Sequence, residues 1–244
     1  MDLHIDARAW TRVRSRFGTT RRPKTFDETM WLGTASYWYP MEVWAPIDWT
    51  YLIICMKSEC VRWWWKAGGA HPRDLAVVGA YYSNDPRVAA VIQPLFAAAA
   101  ATAYLGDMDP LSIVRYVETR RALNHEGRPP LLYGGVDDAW LAAMECALTP
   151  RLRFEALSIR LSKEEVALLK GIERALDLES LVGPRSSAML RSGYKIELEG
   201  ATNPGLFRAN HRPWAFRHLR SLCERASGGP LARRKRARTM RTPR

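Results

Sequence analysis

The hydrophobic positions of this chain follow two rhythms. Between residues 47 and 150 they form short unbroken runs at 51–56, 75–80, 102–105 and 130–134. Continuous apolar runs of this length predict strands covered on both faces. Helical stretches separate them. Residues 59–66 read as a helix ended by Gly68 and Gly69. Asp85 and Pro86 open a second helix that runs through the alanines of 97–101 to about residue 100. Residues 110–124 read as an amphipathic helix with Leu111, Val114 and Val117 on one side. Strand and helix in alternation predict an α/β fold, a four-stranded parallel sheet with helices on both faces.

After residue 150 the rhythm becomes helical. Ser162 reads as a cap with Glu164 and Glu165 in the first turn, followed by Val166, Leu168, Leu169, Ile172 and Leu176. Gly183 and Pro184 break that helix, and 187–199 reads as a helix or as a helix followed by a strand. At the other end, 6–14 predicts a short capped helix. Residues 30–50, rich in tryptophan and tyrosine and broken by Pro40 and Pro46, predict an irregular segment packed on the main body. The expected organisation is a basic and aromatic arm (1–46), an α/β domain (47–150), a mostly helical region (151–227) and a disordered basic tail (228–244).

Charge changes this picture more than composition does. The 47% hydrophobic and 25% charged content of the 244 residues is that of an ordinary globular protein. The net charge is +12, and +7 of it lies in the tail, on Arg233, Arg234, Lys235, Arg236, Arg238, Arg241 and Arg244. Such a tail attracts polyanions, chiefly nucleic acid, by phosphate neutralisation and counterion release. The competing reading is a solvated end without a partner. Cys55, Cys60, Cys146 and Cys223 form no C-x-x-C pair, so neither a zinc site nor a disulfide framework is expected, and a reducing cytoplasm is. The long apolar window 88–105 contains Gln93 and Pro94 and reads as helix into strand, not a membrane span. Cys146, Trp140 and His125 read as packing or surface.

The chemistry concentrates where the third strand ends, at Gly106-Asp107-Met108-Asp109-Pro110. Alternation along an extended backbone places Asp107 and Asp109 on one side. Two carboxylates so close repel, and a divalent cation, Mg²⁺ or Mn²⁺, is the usual remedy. An acidic turn is the plain alternative. In parallel sheets sites form beyond the carboxyl ends of the strands, where Asp137, Asp138 and Glu59 are also expected to gather.

A buried strand ending in Gly-Asp-x-Asp-Pro within a four-stranded parallel unit resembles the toprim domain. The segment Tyr104 to Pro110 is similar to the aspartate motif of the toprim nuclease subunit of Wadjet plasmid-defence systems and to the A subunit of type IIB topoisomerases. Leu161 to Glu165 and Lys195 to Glu199 faintly resemble the end of the Wadjet subunit. The resemblance covers roughly residues 50–200 and implies a Mg²⁺-dependent nuclease, a hydrolase of DNA phosphodiesters in plasmid or phage defence. Asp107 and Asp109 would then hold the metal. The family's glutamate at the end of the first strand has its nearest counterpart here in Glu59, 48 residues before Asp107. It would bind a second ion or activate a water, with Asp137 or Asp138 as an outer ligand. The strand itself ends in Cys55, Met56 and Lys57. The alternative is therefore a catalytically degenerate toprim-like nucleic-acid-binding protein. Expected partners are nucleic acid (DNA above RNA), a larger protein complex and a second copy of the chain, with no membrane. Two other aspartate chemistries fit less well. A haloacid-dehalogenase-like phosphatase carries threonine or valine where Leu111 stands, and nothing beyond the D-x-D supports a sugar-nucleotide transferase.

Overall fold

The computed structural model describes residues 2–3, 31–34, 37–40, 42–44, 49–57, 60, 72, 74–79, 92–93, 95–123, 131–149, 154–203 and 205–228. Four parallel strands form its centre: β1 (Tyr51–Cys55), β2 (Leu75–Gly79), β3 (Ala101–Leu105) and β4 (Leu131–Tyr133), in the order β2-β1-β3-β4. Every residue of β1, β2 and β3 is buried, so both faces of the sheet are covered. Each of Leu52, Ile53 and Ile54 contributes about 1.5–3 kcal/mol by leaving water. The neighbours are in register, Tyr51 opposite Ala101 and Cys55 opposite Leu105, with Tyr104 opposite Tyr133.

The sheet is wider than the sequence indicates. The strand Glu42–Trp44 pairs antiparallel with β2, and Asp2–Leu3 pairs with it in turn. The aromatic segment is thus not irregular throughout. Trp31–Thr34 and Tyr37–Pro40 form an antiparallel pair, the proline closing its last position. The alanine run divides as well: 97–98 end a helix, and Ala101 already opens β3. The expected helices at 6–14 and 59–66 and the start of the one at Asp85 lie outside the described residues, apart from helical Cys60, as does the tail from residue 229.

Helix α1 (Pro110–Leu123) follows β3, and α2 (Asp138–Ala147) follows β4. The inward face of α1 differs from the expected one. Ser112, Ile113, Tyr116, Thr119 and Leu123 are buried, whereas Leu111 is exposed and Val114 and Val117 are only half-buried. Buried small polar residues, Ser112 and Thr119, disguise this face as a polar one. Beyond it lie α3 (Lys163–Ala175), α4 (Leu178–Val182), α5 (Pro184–Arg191), α6 (Leu198–Thr202) and α7 (His211–Ala226). Strands β5 (Ile159–Arg160) and β6 (Tyr194–Lys195) form a short antiparallel ladder among them. The stretch 187–199 is therefore helix, strand and the start of another helix. The Ser162 cap forms as the pattern predicts: its hydroxyl accepts from the Glu165 amide, and the Glu165 carboxylate accepts from the Ser162 amide. Helix α7, which the hydrophobic pattern did not announce, packs on β3 and β1 through Ala215, Leu219 and Cys223. Among the described residues no helix is long and apolar enough to cross a membrane.

Candidate functional site

The Asp-Met-Asp turn sits at the carboxyl end of β3, between the strand and α1. Gly106 makes the turn feasible, since a Cβ there would lie 2.1 Å from the Ser112 hydroxyl and 2.9 Å from the Tyr104 ring. Met108 is fully buried and pairs through its backbone with Ile196, its amide donating to the Ile196 carbonyl at 2.9 Å. The segment from Lys195 to Glu199 is thereby laid across the turn. The two aspartates flank this buried methionine, and each is itself buried.

Asp107 uses both carboxylate oxygens. Oδ1 accepts from the Leu198 amide at 2.6 Å, and Oδ2 lies 3.1 Å from Nζ of Lys57. The lysine arrives by register. Cys55 is level with Leu105 on the neighbouring strand, so Lys57, two residues on, comes level with Asp107. The same ammonium pairs with Glu199 and lies 3.8 Å from Glu197. Asp109 faces elsewhere: its Oδ1 accepts from the Ser112 amide at 2.5 Å and caps the start of α1. Lys195 stands nearby, paired with Glu165 at 2.8 Å and Glu197 at 3.3 Å.

The electrostatics follow from this packing. Burial pushes Asp107 up to about 6, against the pull of Lys57 and with a further push from Asp109. Burial also raises Asp109, opposed by the Ser112 amide and by Lys195. Lys57 loses affinity for its proton through burial, but Asp107 and Glu199 more than restore it, and the net shift is upward. Among the described residues Asp107, Asp109, Glu165, Glu197 and Glu199 are five carboxylates against Lys57 and Lys195, an excess of three negative charges.

The other sequence-selected acids are turned to local tasks. Asp137 caps α2, its Oδ1 accepting from the Ala139 and Trp140 amides at 3.0 Å each, with Oδ2 4.0 Å from Nε2 of His218. Burial raises its pKa, opposed by the Trp140 amide and His218. Asp138 reaches over to α5 and accepts from the Arg185 and Ser186 amides at 3.0 and 2.6 Å. Gly183, at φ +91°, leaves room for that carboxylate, which would lie 2.4 Å from a Cβ. Glu59 and the basic residues Arg233, Arg234, Lys235, Arg236 and Arg238 lie outside the described residues.

Mg²⁺ asks for a near-octahedral set of oxygens, several of them water. Asp107 offers no free oxygen, and an ammonium already stands where its cation would. With Lys57 in place these residues do not fit a divalent ion, and among the described residues no group of three or more His, Cys, Asp or Glu is arranged to hold a metal. The residues missed by sequence reasoning are Lys57, Glu197 and Glu199. The signal for Lys57 was available, because a lysine two positions past a buried strand is level with the second residue past its parallel neighbour, whereas Glu197 and Glu199 arrive through the long-range pairing of Met108 with Ile196. No protein-family model matches this chain, and no curated protein matches it.

Proposed function

We propose that the chain is a toprim-like protein that binds nucleic acid without cutting it, its carboxylate site closed by a lysine. The observation that carries this reading is the Lys57 ammonium 3.1 Å from Asp107, at the strand end where the toprim family carries its glutamate. A fixed cation there satisfies the buried carboxylate and offers neither a water to activate nor an open coordination position. The Leu198 amide and Glu199 complete the closure. Binding itself is supported by the net charge of +12 and by the tail that carries +7 of it.

The second reading, a Mg²⁺-dependent DNA nuclease, is favoured by the excess of three carboxylates over ammonium groups among the described residues around Asp107 and Asp109. It requires Lys57 to leave the site.

Binding is tested by fluorescence anisotropy of labelled DNA over a range of salt. Affinity should fall linearly in a log–log plot, with a slope of about −0.7 to −0.9 per phosphate contacted. Replacing Arg233, Arg234, Lys235, Arg236 and Arg238 by glutamine should flatten that slope. A wild-type protein with no affinity at low salt would sink the reading.

A further inference from the structure

The basic character of this chain does not begin with the tail. Residues 205–228 contain Arg208, Arg212, Arg217, Arg220 and Arg225 against the single acid Glu224, a net +4. With the +7 that follows, the last forty residues hold +11 of the +12, and the rest of the chain is close to neutral. Most of the first portion lies on α7, a folded helix anchored on the sheet. Among the described residues, Arg208, Arg217 and Arg225 are exposed and form no ion pair. Arg220 is held by Asp74 at 2.9 Å and Glu224 at 3.0 Å.

Beside these arginines a cleft of about 560 Å³ separates α7 from α2. Its α2 wall is made of small side chains, Ala139, Ala142, Ala143 and Cys146. Its α7 wall is aromatic. His211, Trp214 and His218 line it and, with buried Phe207 stacked behind His211, form a column of rings with successive centroids 4.2, 5.8 and 5.0 Å apart. Trp140 meets Trp214 edge-on at 5.3 Å, and Trp214 is half-buried, so part of its indole faces the cleft. Arg217 lines the cleft, and the Arg208 amide, bonded to the Ala147 carbonyl at 2.8 Å, places the backbone of that arginine beside a residue of the lining. The acids nearby are occupied: Asp137 by two amides, Glu145 by Arg185 and Glu224 by Arg220.

We propose that α7 and this cleft form the docking surface for a single strand of nucleic acid. Arg208, Arg217 and Arg225 take the phosphates, and one unpaired base enters the cleft against Trp214. The inference rests on the nucleic-acid reading above and assigns it a surface and a strand form. Unpaired bases are what aromatic walls flanked by arginines accept. Paired bases are stacked inward and present only their edges in the grooves, so no base face is free to enter an apolar cleft. The volume also falls within the range of about 300–1,000 Å³ typical of small-ligand sites.

The full-length protein is titrated with a short labelled single strand and with the duplex made from it. Ala142→Glu, at an exposed position of α2, puts bulk and a negative charge into the cleft without opening the core. It should weaken single-strand binding about ten-fold, the scale of one base–aromatic contact, and leave duplex binding nearly unchanged. Trp214→Ala should do the same. The joint Arg208→Gln, Arg217→Gln and Arg225→Gln variant should flatten the salt slope by about two to three. Cys146 supplies a readout that leaves the fold untouched, because it is exposed in the cleft while Cys55, Cys60 and Cys223 are buried. A bound single strand should slow its alkylation several-fold, and the duplex should not. DNA binding that survives all these changes, with Cys146 equally reactive, overturns the surface and leaves the nucleic-acid reading standing. Equal protection by duplex overturns the unpaired base. A wild type that binds neither form overturns both.

Discussion

Replacing Lys57 by methionine removes the ammonium that Asp107, Glu199 and Glu197 share and keeps most of the side chain's apolar stem. Asp107 is 4% exposed and Lys57 18%. Removing one partner of a buried ion pair costs about 3–5 kcal/mol, and the partial exposure of Lys57 brings the expected loss to about 2–4 kcal/mol. For a chain of this size that is a fall in Tm on the order of 5–15 °C. The loss should depend on pH. Without the lysine Asp107 is driven above its present value of about 6, so acidification neutralises it first in the variant, and the deficit narrows as pH falls towards 6 and levels off below it. It should also depend on divalent ions. With the ammonium gone the carboxylates are open to Mg²⁺, and millimolar Mg²⁺ should raise the stability of the variant, by mass action on the folded state, but not that of the wild type. Urea unfolding followed by tryptophan fluorescence, at two pH values and with Mg²⁺ or EDTA, measures all three effects. A loss below about 1 kcal/mol, or one indifferent to both pH and Mg²⁺, would refute the idea that Lys57 stands in for a cation.

Three further outcomes follow from the same geometry. Asp107 has a folded pKa raised from 3.8 to about 6, so its stabilising contribution is complete below 3.8 and is lost as pH rises through 6. Relative to Asp107→Asn, the wild type should therefore gain about 2–2.5 kcal/mol between pH 7.5 and pH 4, measured by paired urea titrations. Gly106→Ala should destabilise by about 1–3 kcal/mol, because the new methyl meets the Ser112 hydroxyl at 2.1 Å; adding Ser112→Gly should recover part of it in thermal melts. Asp138→Ala should lose about 1–2 kcal/mol through the uncapped start of α5, equally in Mg²⁺ and in EDTA, whereas a metal ligand would show the loss in Mg²⁺ alone.

The central sheet was legible because strands covered on both faces leave nothing for polar residues to do, and unbroken runs such as 51–55 and 75–79 result. The Ser162 cap was legible for a local reason, since both of its bonds lie within four residues. Helix α1 was misread because its buried face includes Ser112 and Thr119, which a hydrophobic count assigns to water. Helix α7 escaped notice because five arginines and Pro213 in and around it dilute the series Ala215, Leu219, Cys223. At the site, Asp107 and Asp109 were found by type and spacing. Their surroundings were not, because the segment Lys195 to Glu199 comes from some ninety residues away and only tertiary pairing with Met108 brings it there.

The most direct test of the account is the fate of supercoiled plasmid incubated with the wild-type protein in Mg²⁺ and in Mn²⁺, with retardation and nicking read from the same samples. The account predicts a salt-sensitive shift of the plasmid with its supercoils intact, and the same from Asp107→Ala. Nicking by the wild type that Asp107→Ala abolishes would contradict it and establish the metal-dependent nuclease in its place.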